Sequence, residues 1–360
     1  MAVRTQTGTG TVRRGGARAS RPDRTMIPGA TQTERRTSPV VYWAIFGAIC
    51  VAVQLYVYGA WMLSDDFRTV RASDVPDHVK MWAWILQPLF ALWALAGITY
   101  VVRQCRRERR LTFDAMILMG WVSMIWLDPV PNMIRPQVMF NSYYLNHGSW
   151  VEQIPGWISP NGGNLPNPFL VEISAYFGFV LLTVAGCALM RRWAAWRPAA
   201  GRIQLFLMAW ALYFAVILVL EELIMIRTQW LAWSGVIRGV SLWGGEWYQM
   251  PLTEPFFFGA FIAAVACLRY FRDDQGRSVV ERGVDRLQIA PRMRTLVSAL
   301  AIVGFANLGM ITYNVFVVPL SLYIDDTPSY PSYMRNGLCG EGTPYDCPGP
   351  HVPIILDAGR

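Results

Sequence analysis

Residues 203–226 read IQLFLMAWALYFAVILVLEELIMI, and the first 18 of them carry no charged side chain. A helix rises about 1.5 Å per residue, so a run of this length crosses the roughly 30 Å hydrocarbon core of a bilayer. The stretch therefore predicts a transmembrane helix. Its last turns contain two adjacent acidic residues, Glu221 and Glu222, which would lie near one membrane surface.

The rest of the chain has the composition of a membrane protein. Of its 360 residues 54% are hydrophobic, only 16% are charged and 16 are Trp, which an ordinary soluble domain does not show. Hydropathy predicts an all-α fold, a polytopic integral membrane helix bundle with about seven transmembrane helices. Their ranges are 41–63, 81–102, 112–126, 169–190, 203–226, 251–271 and 295–320. The third is the weakest, because it has about 15 residues and contains Asp114; a buried or re-entrant helix is the alternative.

Basic residues divide the segments between these helices into two groups. The tail before the first helix and segments 103–111, 191–202 and 272–294 hold 23 Arg, whereas 64–80, 127–168, 227–250 and 321–360 hold only 8 Lys plus Arg. The positive-inside rule then predicts a plasma-membrane protein with a cytoplasmic N-terminus and an outer C-terminus. The net charge of +8 is explained by cytoplasmic loops near anionic lipid, so we do not expect a nucleic-acid partner.

The predicted organisation is one membrane domain with two tails. Residues 1–38 form an Arg-rich tail expected to be disordered and cytoplasmic, 39–320 the transmembrane domain, and 321–360 a Pro- and Gly-rich outer tail. We expect no cleavable signal peptide, because the first apolar run begins only at Pro39 and is long enough to span. Cys339 and Cys347 lie in the outer tail, where they would form a disulfide or remain two free thiols.

Several familiar chemistries have no counterpart in the sequence. The three histidines, His78, His147 and His351, are not spaced to bind a metal or haem from one helix. No Gly-rich phosphate loop of the Walker type and no nucleophile elbow is present. The single lysine, Lys80, lies between predicted helices and does not suit a retinal Schiff base. The sequence therefore predicts no cofactor and no metal.

Acidic residues at or inside the predicted membrane region are the main candidates for chemistry. They are Asp128, Glu172, Glu221, Glu222 and Glu254, and all five fall in the outer half of their helices. Carboxyls in the membrane are costly and usually face an interior cavity. Burial raises the pKa of a carboxyl, so such a group can carry a proton near neutral pH and serve as an acid, a base or a proton relay. The alternative is that some of them only cap helices or face lipid headgroups.

Two long outer segments add polar and aromatic candidates for substrate binding. Together with Glu172 these are Asn132, Asn141, Tyr144 and His147 in the first segment, and Tyr248 and Gln249 in the second. Loops of this length are often lids or binding elements. Most of the Trp residues in these segments are predicted to form an aromatic belt at the membrane interface.

Five stretches carry a resemblance to a known family. They are DPVPNMIRPQVMFNSYYLNHGSW at 128–150, IPGW at 154–157, LEELIM at 220–225, EWYQMPLTEPFFFGA at 246–260 and ACLRYFRDDQGRSVVERGVDRL at 266–287. In sequence and order they resemble the AveC-like spirocyclases, membrane proteins of actinobacteria named for an enzyme of avermectin biosynthesis. The resemblance extends over roughly residues 41–320.

The resemblance implies a spiroketal cyclase of macrolide polyketide biosynthesis. In that reaction a dihydroxy ketone closes to a hemiketal, loses water as an oxocarbenium ion and is captured by its second hydroxyl; some relatives also dehydrate the product ring. The implied partners are a lipophilic macrolide and membrane lipid, and nothing in the sequence indicates the oligomeric state. Two alternatives remain, an exporter or proton-coupled transporter of a lipophilic polyketide, and a structural or sensory membrane protein.

Carboxyl groups suit ketal chemistry, which needs an acid, a base and negative charge near a cationic intermediate. Glu222 and Glu254 are the preferred acid and base, because the helices that carry them are joined on the outer side and would bring them to a similar depth. Glu221, Asp128 and His147 are supporting or alternative groups. Glu221 and Glu222 lie about 100° apart around a helix, so only one of them is expected to face a shared cavity.

Overall fold

Seven helices account for about half of the chain that the computed structural model describes, residues 38–71 and 73–354. They are α1 Pro39–Met62, α2 Asp77–Glu108, α3 Phe113–Ser123, α4 Ser174–Trp196, α5 Arg202–Leu220, α6 Thr253–Tyr270 and α7 Pro291–Leu320. All but α6 belong to helical segments long and apolar enough to cross a membrane. The helix α6 has 18 residues, with Glu254 and Arg269 near its two ends. The predicted helical membrane bundle is confirmed, while the predicted tail 1–38 lies almost wholly outside the described residues.

The third helix, whose sequence predicts a transmembrane helix least strongly of the seven, lies at the centre of the bundle. It continues through short 3₁₀ turns to Asn132, and 72% of its most apolar window is buried, against 28% for α1 and for α2. It packs against α7 and α4. Asp114 fits there because both its oxygens accept hydrogen bonds from Arg269 of α6, at 2.7 and 2.8 Å. An ion pair with matched hydrogen bonds satisfies a carboxylate that would otherwise be costly to bury.

Glycines bring α1 and α7 into close contact along their length. A Cβ atom on Gly47 would lie 2.0 Å from the carbonyl oxygen of Leu300, and one on Gly304 would lie 2.4 Å from that of Trp43. Small residues let transmembrane helices approach until their backbones touch. The close approach increases dispersion contact between the helices, and this contact matters because the hydrophobic effect does not drive helices together within lipid. The same pattern occurs between α2 and α4, where a Cβ atom on Gly97 would lie 2.2 Å from the carbonyl oxygen of Phe177.

A folded cap covers one end of the bundle. We define it as residues 124–168, 227–252 and 321–354. Within it, strand β1, Val138–Phe140, pairs antiparallel with β2, Leu231–Trp233. Strand β3, Ser241–Leu242, pairs in the same way with β4, Met250–Pro251. The opposite end carries the Arg-rich connections.

The tryptophans of the cap mostly form its core rather than an interfacial belt, so that prediction was wrong. Trp150, Trp157, Trp230 and Trp233 are each no more than 3% exposed. The indole nitrogen of Trp150 donates to the carbonyl of Trp126 at 2.9 Å. The reason is that the cap buries enough surface to enclose its own aromatic side chains; the more exposed Trp of this region, such as Trp243 at 45%, lie at its edge.

The C-terminal segment belongs to this cap. It contains the short helix α8, Ser332–Arg335, and the hydroxyl of its Tyr330 donates to the carbonyl of Trp233 at 2.8 Å. Cys339 and Cys347 form a disulfide, which is the first of the two alternatives left open by the sequence. Residues 321–354 are therefore structural, and residues 355–360 lie outside the description.

Candidate active site

Four carboxyl groups meet in one cavity beneath the cap. Asp128, Glu172, Glu221 and Glu254 all line it. The cavity has a volume of about 70 Å³. Its described lining residues include no Arg, Lys or His, so no basic side chain there balances charge on the carboxyls. Uncompensated charge in such a place is unfavourable, and a cluster of this kind favours states in which protons are held and shared.

Irregular helical turns aim three of these carboxyls into the cavity. Asp128 follows the 3₁₀ turn Ile125–Leu127 at the end of the third span. Glu172 lies in the π-helical turn Phe169–Ile173 that precedes α4, and Glu221 opens the π-helical turn Glu221–Ile226 that follows α5. Wider π turns change the direction of side chains relative to a regular helix and occur often at functional sites. Glu254 lies in the first turn of α6, where the helix dipole favours negative charge.

Two tyrosines hold two of the carboxyls in place. The hydroxyl of Tyr176 donates a hydrogen bond to Asp128, and that of Tyr313 donates to Glu254. Oxygen Oε2 of Glu172 and oxygen Oε2 of Glu221 are buried and have no hydrogen-bond partner among the described residues. The cavity thus combines anchored carboxyls with acceptor atoms that remain available to a ligand.

Sequence reasoning missed both tyrosines, although a signal existed for each. Tyr176 lies four residues after Glu172, hence on the same face of the helix. Tyr313 stands in the interior of an apolar helix. A buried tyrosine hydroxyl normally finds a hydrogen-bond partner, so a polar group within a predicted span could have indicated a site.

Glu222, one of the two residues that the sequence favoured as acid and base, is not among the described residues that line the cavity. Its carboxylate accepts a hydrogen bond from Nε of Arg227 at 2.8 Å. The guanidinium of Arg227 in turn lies over the ring of Tyr248, 3.9 Å from its centre. Adjacent residues point in different directions around a helix, and the turn directs Glu221 inward and Glu222 towards the edge of the cap. Of the predicted pair, only Glu254 lines the cavity.

The predicted binding residues of the cap loops serve mainly to build the cap. Asn132 accepts from the backbone nitrogens of residues 137 and 138, Asn141 donates to the carbonyl of residue 229, and Gln249 donates to that of residue 233. His147 stacks on Phe67, with ring centres 5.2 Å apart. Neither these residues nor Tyr248 lines the carboxyl cavity in the described part of the chain.

Tyr144 also lies outside the cavity lining, one layer away from it. Its ring centre is 6.4 Å from that of Trp230, and Trp230 lines the cavity. Burial raises the pKa of the Tyr144 hydroxyl, so this group stays neutral and is unsuited to act as a base. Among the predicted binding residues, only Glu172 lines the cavity.

The remaining walls of the cavity are apolar and aromatic. They include Phe90, Phe179 and Phe258 together with Met225 and Met310. Such walls accept a lipophilic ligand, while a few polar groups fix its orientation. Aromatic faces can also stabilise a cation. The site therefore suits a reaction in which a lipophilic ligand passes through an intermediate with a positively charged carbon.

The fold and this site define a polytopic helical membrane protein with a carboxyl-lined cavity inside its bundle. The model of the family described as spirocyclase AveC-like matches residues 108–335, more than half of the chain. The chain belongs to this family of spirocyclases, which supports an enzymatic role in spiroketal formation. No match was found among curated proteins or among solved structures.

The extent of the family match agrees with the geometry of the site. It contains all four cavity carboxyls and both of the tyrosines that bind them. Relative to the expected range of 41–320, the match begins later and ends later, at residue 335. The later end includes Tyr330 and Tyr333, which are buried in the cap.

Proposed function

We propose that this protein is a spiroketal cyclase that closes a dihydroxy-ketone macrolide polyketide inside the carboxyl cavity. The observation that carries the proposal is the convergence of Asp128, Glu172, Glu221 and Glu254 on one largely apolar space. The family match supports the same reaction class. The substrate class, the mechanism and the residue roles are parts of this proposal.

The proposed reaction has three steps. One hydroxyl of the substrate adds to its ketone and gives a hemiketal, with a proton passing from the hydroxyl to the former carbonyl oxygen. A protonated carboxyl then donates to the hemiketal hydroxyl, which leaves as water and produces an oxocarbenium ion. The second hydroxyl attacks this carbon and releases its proton to a carboxylate. The balance is one dihydroxy ketone converted to one spiroketal and one water.

We assign the acid and the base to Glu221 and Glu254. Oε2 of Glu221 accepts no hydrogen bond that the described residues make within normal geometry, although the Trp233 side chain interacts with this carboxyl, and it can exchange a proton with substrate. Glu254 is oriented by Tyr313, and a fixed carboxyl suits a directed proton transfer. Asp128 and Glu172 provide negative charge near the oxocarbenium ion, where stabilisation acts on the transition state rather than on the substrate.

Fixed geometry has a further role in this chemistry. Spiroketals also close without an enzyme in acid, so the walls of the cavity would govern which face of the cation the second hydroxyl attacks. The same acid and base could remove a second water from the finished ring. An assay of cyclisation should therefore also quantify the dehydrated product.

Purified protein in lipid nanodiscs, supplied with an open-chain keto diol, tests the function directly. We expect spiroketal of one configuration at the spiro carbon, formed faster than in empty nanodiscs, with dehydrated spiroketal quantified in the same chromatogram. A nanodisc has no inner compartment, so turnover there separates an enzyme from an exporter. Absence of any acceleration, with export of spiroketal from vesicles instead, would support the transporter alternative.

We also propose that the capped end faces the outside of the plasma membrane and that the N-terminus is cytoplasmic. The asymmetry of 23 against 8 basic residues supports this orientation, and so does the Cys339–Cys347 disulfide, since such bonds persist in oxidising compartments. Reporter fusions at Arg107, Arg197 and Gly276 should read cytoplasmic. A fusion after Trp157 should read outside, and a cytoplasmic reading there would reverse the orientation.

A further inference from the structure

A second, larger space lies on the membrane-facing surface beside the carboxyl cavity. This groove has a volume of about 510 Å³, and its lining includes Leu89, Leu92, Trp93, Leu182, Val216 and Ile224. All of these side chains are apolar or aromatic. They come from α2, α4 and the α5 region, and both α2 and α5 pack against α4. The groove therefore lies between α2 and α5, with α4 as its floor.

The groove and the cavity share part of their walls. Phe90, Phe179 and Leu220 border both spaces. One layer of side chains consequently separates the membrane-facing groove from the four carboxyls. Side chains of this kind can change rotamer far faster than helices move, so a passage would need little rearrangement of the backbone.

Each of two helices beside this partition has an interruption of its hydrogen bonding close to a partition residue. Pro88 lies inside α2, two residues before Phe90, and a proline there removes one backbone hydrogen bond of the helix. Leu220 directly precedes the π-helical turn Glu221–Ile226. Such interruptions are tolerated in membrane helices where neighbouring groups satisfy the backbone, and they allow local changes of side-chain direction.

The route through the cap is blocked by packed aromatic groups. Trp230 lines the cavity on the cap side and is 1% exposed, and Tyr144 beside it is also 1% exposed. Phe90 packs edge-on against Trp230, with ring centres 4.8 Å apart. A large apolar substrate reaching the carboxyls through the cap would have to unpack this core, whereas the groove already presents an apolar surface to the bilayer.

We propose that the groove between α2 and α5 docks the apolar chain of the lipophilic substrate and admits its reacting centre to the cavity from the bilayer. This inference rests on the proposed function. The partition of Phe90, Phe179 and Leu220 acts as the gate. The bilayer is then the substrate reservoir, and the cap keeps bulk water away from the oxocarbenium ion.

Substitutions that fill the groove with a larger side chain, at positions that do not line the cavity, test whether substrate enters through the gate. Val216 and Leu92 line the groove but not the cavity, and Leu92 is 62% exposed, so a larger side chain fits there without disturbing the core. We expect Val216→Trp and Leu92→Trp each to lower kcat/KM for a long-chain keto diol in nanodiscs by roughly tenfold, with kcat at saturation little changed. A short dihydroxy ketone has no apolar chain to dock in the groove, so both variants should lower its kcat/KM far less than that of the long-chain keto diol.

Leu55→Trp is the matched control. Leu55 is 67% exposed on α1 and lines neither the groove nor the cavity, so the change adds the same side chain to a different lipid-facing surface. Its kcat/KM should equal that of the wild type for both substrates. Equal kcat/KM for all three variants on the long substrate, or equal losses on the long and short substrates, would overturn the gate. Failure of the wild type to cyclise either substrate would instead contradict the proposed function.

Discussion

Glu254→Gln and Glu221→Gln are each expected to lower the rate of spiroketal formation by about 10²- to 10⁴-fold, the usual contribution of a positioned acid or base. Glutamine keeps the size of glutamate and most of its hydrogen bonding but has no titratable proton. Both carboxyls line the cavity, and both variants should accumulate in the membrane at wild-type levels. The measurement is the initial rate in nanodiscs, with chromatographic separation of spiroketal, its epimer at the spiro carbon, dehydrated product and keto diol.

Glu222→Gln is the internal control, since it is the same chemical change one residue along the chain. Glu222 pairs with Arg227 outside the cavity, and an amide oxygen can still accept from that guanidinium. Its rate should stay within about threefold of the wild type, because Glu222 donates no proton to substrate. If Glu221→Gln and Glu254→Gln form the same product at the same rate as Glu222→Gln, acid and base catalysis by these carboxyls is wrong, and the protein would act as a binding template.

Arg269→Ala should be the most destabilising single change among the ion pairs described in this structure. It leaves the carboxylate of Asp114 buried between α3, α2 and α6 with its main partner removed. Breaking a buried pair in this way costs about 3–5 kcal/mol. The measurement is the thermal unfolding temperature of detergent-solubilised protein, together with its yield from membranes.

Two further variants separate the ion pair from general damage. The double change Asp114→Asn with Arg269→Gln removes both charges and should recover more than half of the lost stability, because neither group is then an uncompensated charge. Asp77→Asn breaks an ion pair with Lys80 in which the aspartate side chain is 98% exposed, and it should have little effect. If Arg269→Ala unfolds at the wild-type temperature, the pair does not stabilise the bundle.

Hydropathy and charge were sufficient to predict the helices, because long apolar runs have few structural alternatives once backbone hydrogen bonds must be satisfied within lipid. The ends were less certain. The helix α2 begins at Asp77 and ends at Glu108 rather than spanning 81–102, since polar and charged residues extend a helix beyond the hydrocarbon region. The central position of α3 depended on its partners, Arg269 above all, and partners on other helices are not visible in a local window.

The sequence predicted that the acidic residues lie at a similar level along their helices, but it did not predict which of their side chains face the cavity. Sequence position placed acidic residues from four helices near one level, and four of the five meet in the cavity. The choice between Glu221 and Glu222 depended on a π-helical turn, whose wider hydrogen-bonding pattern leaves no clear mark in composition. The cap residues Asn132, Asn141 and Gln249 combine polarity with burial, a combination that from sequence alone is the same for a ligand site and for a loop held by its own hydrogen bonds.

The helix α2 gives this architecture a practical consequence. The family match begins at residue 108, the last residue of α2, so Leu89, Phe90, Leu92 and Trp93 of the groove precede it while every cavity carboxyl lies within it. On the proposed function, the α2 wall of the groove is coded apart from the reacting carboxyls, whereas the α4 and α5 walls lie in the same stretch of the gene as Glu172 and Glu221. Directed evolution confined to the codons of α2 could then retarget the protein to polyketides of other shapes without altering its proton-transfer groups.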